Sequence, residues 1–232
     1  MTCWKRLMWG GCAFLALALY VLPMVFQQKA ETYQISKQWT IGIGILLIFL
    51  ALLVFIVVAK KIGILSQSGK VFQKGDGKRI SLSILGMFLI SILGTALLRW
   101  LNGEVTTANQ ASLIEEFKRG NGILLPIMLG VLAPIVEEII FRGILPLKIF
   151  KGYEGWGYIV GGLLFALFHG PTNIVSFVIY AVSSVILTLL AYRTRRLEVS
   201  IAVHMINNGL PAIIMLLIGI FGMEVQELKM KI

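Results

Sequence analysis

The 232-residue chain alternates long apolar runs with short polar joints, and the runs lack the strict in–out alternation of half-buried strands. They fall at about 8–26, 40–59, 80–98, 122–147, 157–170, 174–192 and 198–223. A helix crosses the hydrocarbon layer in roughly 20 residues. The pattern therefore predicts an all-α, polytopic transmembrane bundle of about seven spans, or eight if Pro211 divides the last run. A membrane β-barrel would instead show short alternating segments. The first run follows Lys5 and Arg6 like a signal peptide. It stays apolar to Phe26 without a clean small-x-small stop, which reads as a retained span.

Composition strengthens this reading. With 58% hydrophobic residues and a mean hydropathy of +0.89, the chain carries more apolar surface than a soluble domain of its length could bury. A net charge of +10 would suggest nucleic acid in a soluble protein. Here the basic residues sit in the joints, where they set topology, and no nucleic-acid partner is expected. A cytoplasmic N-terminus puts Lys5, Arg6, the six basic residues of 60–79, Arg142, Lys148, Lys151, Arg193, Arg195 and Arg196 on the inner face. That is 14 of the 21 Lys and Arg residues, the asymmetry of an inner leaflet. The 60–79 loop would lie against anionic headgroups. On the far side, "SLIEEFKRG" (112–120) is either a polar loop or a short interfacial helix with Leu113, Ile114 and Phe117 toward lipid. Cys3 and Cys12 form neither a disulfide framework nor a metal-ligand spacing.

No repeat or linker interrupts the chain, so a single structural domain is expected. Within it, 1–121 forms a three-span region without motifs, 122–210 gathers the polar residues, and 211–232 completes the last span with a short tail.

Polar residues inside the runs are where chemistry is to be sought, because ionisable groups at membrane depth are costly. "APIVEEIIFRGILP" (133–146) holds Glu137, Glu138 and Arg142. Both histidines of the chain also lie in apolar runs, His169 in "FALFH" and His204 in "HMINN", with Asn207 and Asn208 beside the latter. Residues four apart share a helix face, which pairs Glu138 with Arg142, His204 with Asn208, and Phe165 with His169. Glu137 points about 100° away from its neighbour and is left to face a cavity. Asn207 reads as a residue bonding to another helix. A hairpin turning near Tyr153 would put Glu137 and His169 at equal depth. Gly157, Gly161 and Gly162 would allow close backbone approach there, and Pro134 would loosen the helix just before the glutamates.

The three motifs "EEIIFR" (137–142), "FALFH" (165–169) and "HMINN" (204–208) resemble, in order and on separate helices, EExxxR, FxxxH and HxxxN. These belong to the CAAX-processing protease and bacteriocin-immunity (CPBP, Abi) family of intramembrane proteases. The resemblance covers about 122–210 and implies a protease core there. It implies that Glu137 and His169 hold and activate a hydrolytic water, and that His204 and Asn208 stabilise the oxyanion. Glu138 and Arg142 complete the first motif as a structural ion pair. The implied function is an intramembrane endopeptidase acting on membrane-associated proteins or peptides in the lipid bilayer of a prokaryotic cell membrane. No cofactor is expected. Glu137, His169 and His204 could alternatively form a His₂Glu zinc site with one open position, although no HExxH helix is present. A non-catalytic membrane scaffold or bacteriocin-immunity protein that binds a peptide or enzyme partner is the rival function. A proton-coupled transporter would also use buried Glu, His and Arg, but its usual internal repeats are not apparent in the sequence.

Overall fold

The computed structural model describes residues 2–66, 71–118 and 123–221. Lys70 in the middle of the 60–79 loop, Arg119 and Gly120 at the end of the 112–120 stretch, the Cys3 side chain and the tail past Phe221 lie outside the described residues. Each predicted apolar run is a helix. They are α1 (Cys3–Thr32), α2 (Lys37–Lys61), α3 (Asp76–Asn102) and, after the short α4 (Ala108–Lys118), α5 (Leu124–Ile149). The remainder are α6 (Glu154–Phe168), α7 (Ile174–Thr194) and α8 (Leu197–Phe221). Six of these helices are long and apolar enough to cross a membrane. Pro211 does not divide α8, which runs through it as one helix. The chain is an all-α integral membrane bundle.

α5 is the centre of the bundle. In its most apolar window 78% of residues are buried, against 33% or less for the other spans. Its winding follows from two prolines. Pro134 has no N–H to complete the i→i−4 ladder, and the turns before it, Met128–Leu132, are π-helical. A second π-helical stretch, Ile139–Ile149, contains Pro146. Such stretches are rare and concentrate at functional sites. The helix nevertheless continues unbroken through Arg142, as the sequence predicts.

α6 packs closely against α5, for the reason its glycines suggest. A Cβ at Gly157 would stand 2.5 Å from Pro146 Cα, and one at Gly161 would run into the Phe141 carbonyl oxygen. These contacts set an antiparallel register that differs from the expected one. α5 ends at Ile149 and α6 begins at Glu154, so the hairpin turns on residues 151–152 and not on Tyr153. Continued along the helices, this register brings the backbone at Glu137 level with Phe165, and His169 comes one turn further out. At 15 residues, α6 is about 22 Å long, short of the roughly 30 Å hydrocarbon layer. It therefore ends at His169 before a full crossing. Non-helical backbone at that depth is tolerated only against protein or a watery cavity.

The basic joints share one face of the bundle. Arg6 reaches the Lys151 carbonyl, and Lys148 donates to the Ile62 carbonyl. The Ser66 N–H donates to Glu198, while Arg196 binds Asp76 through both terminal nitrogens at 2.6 and 2.7 Å. On the opposite face α4 is helical, with Ile114 exposed. Phe117, expected to face lipid, is buried against protein.

Candidate active site

The site is built outward from Arg142. Its guanidinium is fully buried and donates through Nη1 to Glu138 Oε1 at 2.9 Å, closing the i, i+4 pair expected from spacing. α7 takes up three more donors: Nη2 reaches the Ser184 hydroxyl at 2.8 Å and its carbonyl at 3.3 Å, and Nε reaches the Thr188 hydroxyl at 3.3 Å. The Ser184 hydroxyl in turn donates to the Gly162 carbonyl at 2.8 Å. Below the guanidinium, 4.1 Å away, is the centroid of the Phe165 ring, a cation–π contact. A buried cation is tolerated only when its donors are satisfied in this way.

Glu138 does more than neutralise Arg142. Its Oε2 accepts from the Ser200 hydroxyl, and its Oε1 also accepts from His204 Nδ1 at 3.0 Å. A carboxylate paired with arginine has no proton to give, so the hydrogen sits on Nδ1. In the neutral imidazole Nε2 then carries a lone pair. That nitrogen faces Asn208 Nδ2 at 3.3 Å, and Asn207 Nδ2 donates to Asn208 Oδ1 at 3.1 Å. Asn207, expected to bond to another helix, instead orients its neighbour.

Glu137 is different. It is only 4% exposed, yet its Oε2 is the single buried side-chain atom without a hydrogen bond among the described residues. His204 Nε2 lies 3.8 Å from it, too far for a direct bond. A buried orphan oxygen is costly, so one kept beside an otherwise satisfied network calls for an explanation. From the region without motifs, α1 packs against the Ala133–Glu138 turns of α5 that carry the two glutamates.

His169 caps α6. Its Nδ1 is 2.8 Å from the Phe165 carbonyl, which can only accept, so here too Nε2 keeps the lone pair in the neutral ring. The ring stacks on Tyr180 at 4.5 Å and 26°, and the Tyr180 hydroxyl bonds to the Thr107 hydroxyl at 2.6 Å. Phe165 stands between the two histidines, 4.6 Å from His169 and 5.6 Å from His204. The structure thus gathers Glu137, His204 and Asn208 directly and sets His169 at the other edge of Phe165. Among the described residues no three His, Cys, Asp or Glu side chains could together hold a metal ion. The donor set Glu137, His169 and His204 does not fit zinc: His204 is engaged at both nitrogens, and His169 stands across Phe165.

Comparison with known proteins agrees with the motifs. The family described as type II CAAX prenyl endopeptidase Rce1-like matches residues 119–210, the stretch that contributes all of these side chains except Thr107. The match takes in the segment that carries the three motifs, less than half of the chain, and that segment is similar to this CAAX-protease family. The chain is also similar to UPF0177 protein YvdC of Lactococcus lactis, 32% identical over 126 residues. That match takes in 53% of this chain and 46% of YvdC, so it spans about half of that relative's length. UPF0177 protein YaiH of the same organism is 28% identical over 233 residues, covering 94% of each chain. Membrane-embedded CAAX protease MroQ of Staphylococcus aureus is 24% identical over 230 residues, covering 88% of this chain and 89% of MroQ. No solved structure matches.

Proposed function

We propose that the protein is an intramembrane endopeptidase that hydrolyses peptide bonds of membrane-associated proteins or peptides, with Glu137 as general base. The observation that carries this reading is the orphan Oε2 of Glu137 beside the lone-pair nitrogen of His204. A carboxylate shielded from bulk water is a stronger base. In the proposed reaction Glu137 takes one proton from water as the water oxygen bonds to the scissile carbonyl carbon. The C–N bond then breaks as that proton passes to the amine nitrogen, leaving a carboxylic acid and an amine. His169, with its Nε2 lone pair, orients the water. Negative charge on the carbonyl oxygen is met by Asn208, whose amide has a second N–H beyond the one given to His204. A proton on His204 Nε2 would add a second donor while Nδ1 stays on Glu138. Fixed donors of this kind are strong in a site shielded from solvent.

The orientation proposed with it puts the N-terminus in the cytoplasm, since the basic joints share one face. The test is cleavage of a membrane-peptide library by purified protein in nanodiscs, beside Glu137→Gln. Cleavage by wild type that is lost in the variant supports the reading. No cleavage by either, with an immunity or binding phenotype unchanged by Glu137→Gln, supports a scaffold instead.

A further inference from the structure

Away from the site, α3 and α7 pack antiparallel in a constant register. Gly94 meets Ile179, and Gly86 meets Ile186, where a Cβ would stand 3.3 Å from Ile186 Cδ1. Continued to the basic face, this register sets Arg79 opposite Arg193. Both line one end of a groove of about 320 Å³ between the helices. Leu82, Gly86, Ile186 and Leu189 line the rest together with Ser83, Leu190 and Thr194, and Leu82 and Leu189 are exposed.

The groove is graded like a lipid. Its charged end lies at headgroup level, in the first turn of α3 and the last turn of α7, and the apolar lining runs inward from there. The acid that Arg79 touches, Asp76, is committed to Arg196 through two bonds of 2.6 and 2.7 Å. Arg79 touches it through one nitrogen at 3.1 Å and keeps about half of its side chain exposed. Arg193 is exposed as well. Arg79 thus has only part of a carboxylate already committed to Arg196, and with Arg193 beside it this end of the groove carries excess positive charge. Guanidinium forks match phosphate oxygens, and basic pockets between membrane helices on the cytoplasmic side hold anionic headgroups.

We propose that this groove is a binding site for an anionic phospholipid, with its phosphate between Arg79 and Arg193 and one acyl chain along Leu82, Gly86, Ile186 and Leu189. A zwitterionic lipid would bring its own cation to the same two arginines and bind less well. The inference is independent of the protease reading.

Native mass spectrometry of the detergent-solubilised full chain tests it, with phosphatidylglycerol and phosphatidylcholine of identical chains. Wild type should retain one phosphatidylglycerol with a preference on the order of 10-fold or more over phosphatidylcholine. Arg79→Gln/Arg193→Gln should reduce that preference to near unity, and Arg79→Lys/Arg193→Lys should keep most of it. If the glutamine pair does not fold, Gly86→Leu serves instead: by filling the groove it should lower retention of phosphatidylglycerol several-fold. An undiminished preference in the glutamine pair, or undiminished retention in Gly86→Leu, overturns the proposal. Equal competition by sn-glycerol 3-phosphate also overturns it, because the site would then read a phosphate and not a lipid.

Discussion

His204 donates its Nδ1 hydrogen to Glu138 Oε1 at 3.0 Å, the same oxygen that Arg142 reaches at 2.9 Å. One carboxylate therefore balances a buried guanidinium and fixes the tautomer of a histidine in the proposed site. Glu138→Ala should lower thermal stability by about 3–5 kcal/mol, because a buried arginine is left unpaired. Glu138→Gln should be milder in stability but still lose activity, since an amide can present its N–H to Nδ1 and release the tautomer. Thermal unfolding and peptide cleavage measured on both variants check this. A Glu138→Gln enzyme of normal activity would remove Glu138 from the positioning of His204.

Exchanging the charges should fail. Spacing alone suggests that Glu138→Arg/Arg142→Glu could restore the pair, at some loss because the reversed order is less favourable. The surroundings forbid it: a carboxylate at 142 would face the Ser184 carbonyl in place of a donor to it, and an arginine at 138 would face His204. The double variant should be no more stable than Glu138→Ala in a thermal-shift assay.

The histidine at the end of α6 gives a graded prediction. Tyr180→Phe keeps the stacked ring and loses only what its hydroxyl bonds, Thr107 among them, so activity should fall no more than a few-fold. Tyr180→Leu removes the stack and frees the His169 ring. It should lower kcat by about 10-fold or more and shift the pH profile of cleavage, within the range of a misplaced acid–base group. Equal effects of the two variants would mean that the stack does not position His169.

Much of this was legible in the sequence, for physical reasons. Continuous apolar runs can only be membrane helices at this hydropathy, so all seven were predictable, and the Glu138–Arg142 pair followed from helical periodicity alone. Contacts between helices were less accessible. Nothing in a one-dimensional pattern says that Ser200 and His204 of α8 close on Glu138 of α5. Ser184 and Thr188 share a face of α7 four residues apart, a hydroxyl pair that could have been read as a waiting polar partner. Single hydroxyls are so ordinary in membrane helices that the signal is weak. The depth match of Glu137 and His169 shifted by a turn because the hairpin reverses two residues earlier than the aromatic joint suggests.

Cleavage without a metal is predicted from how the nitrogens are committed. Catalysis through zinc would need His204 to give up either the bond to Glu138 or the one from Asn208, and His169 to cross Phe165. Cleavage should survive exhaustive chelation. Loss of activity restored specifically by zinc would reverse the assignment and make His204 a ligand.

The sharpest test separates the two adjacent glutamates. Glu138 accepts from Arg142, His204 and Ser200, so its loss is felt on both α5 and α8. Glu137 Oε2 accepts from no described residue. Glu137→Gln keeps the side chain's size and removes only the charge and basicity of a group that holds nothing together through that oxygen. The variant should fold with a Tm close to wild type, while cleavage falls by about 100-fold or more, the low end of a general-base contribution. The two measurements must be made on the same preparation, because lost activity with a lowered Tm would also describe a damaged fold. If Glu137→Gln unfolds the protein while Glu138→Gln is stable and inactive, the base is Glu138 and the network around Arg142 is the catalytic centre.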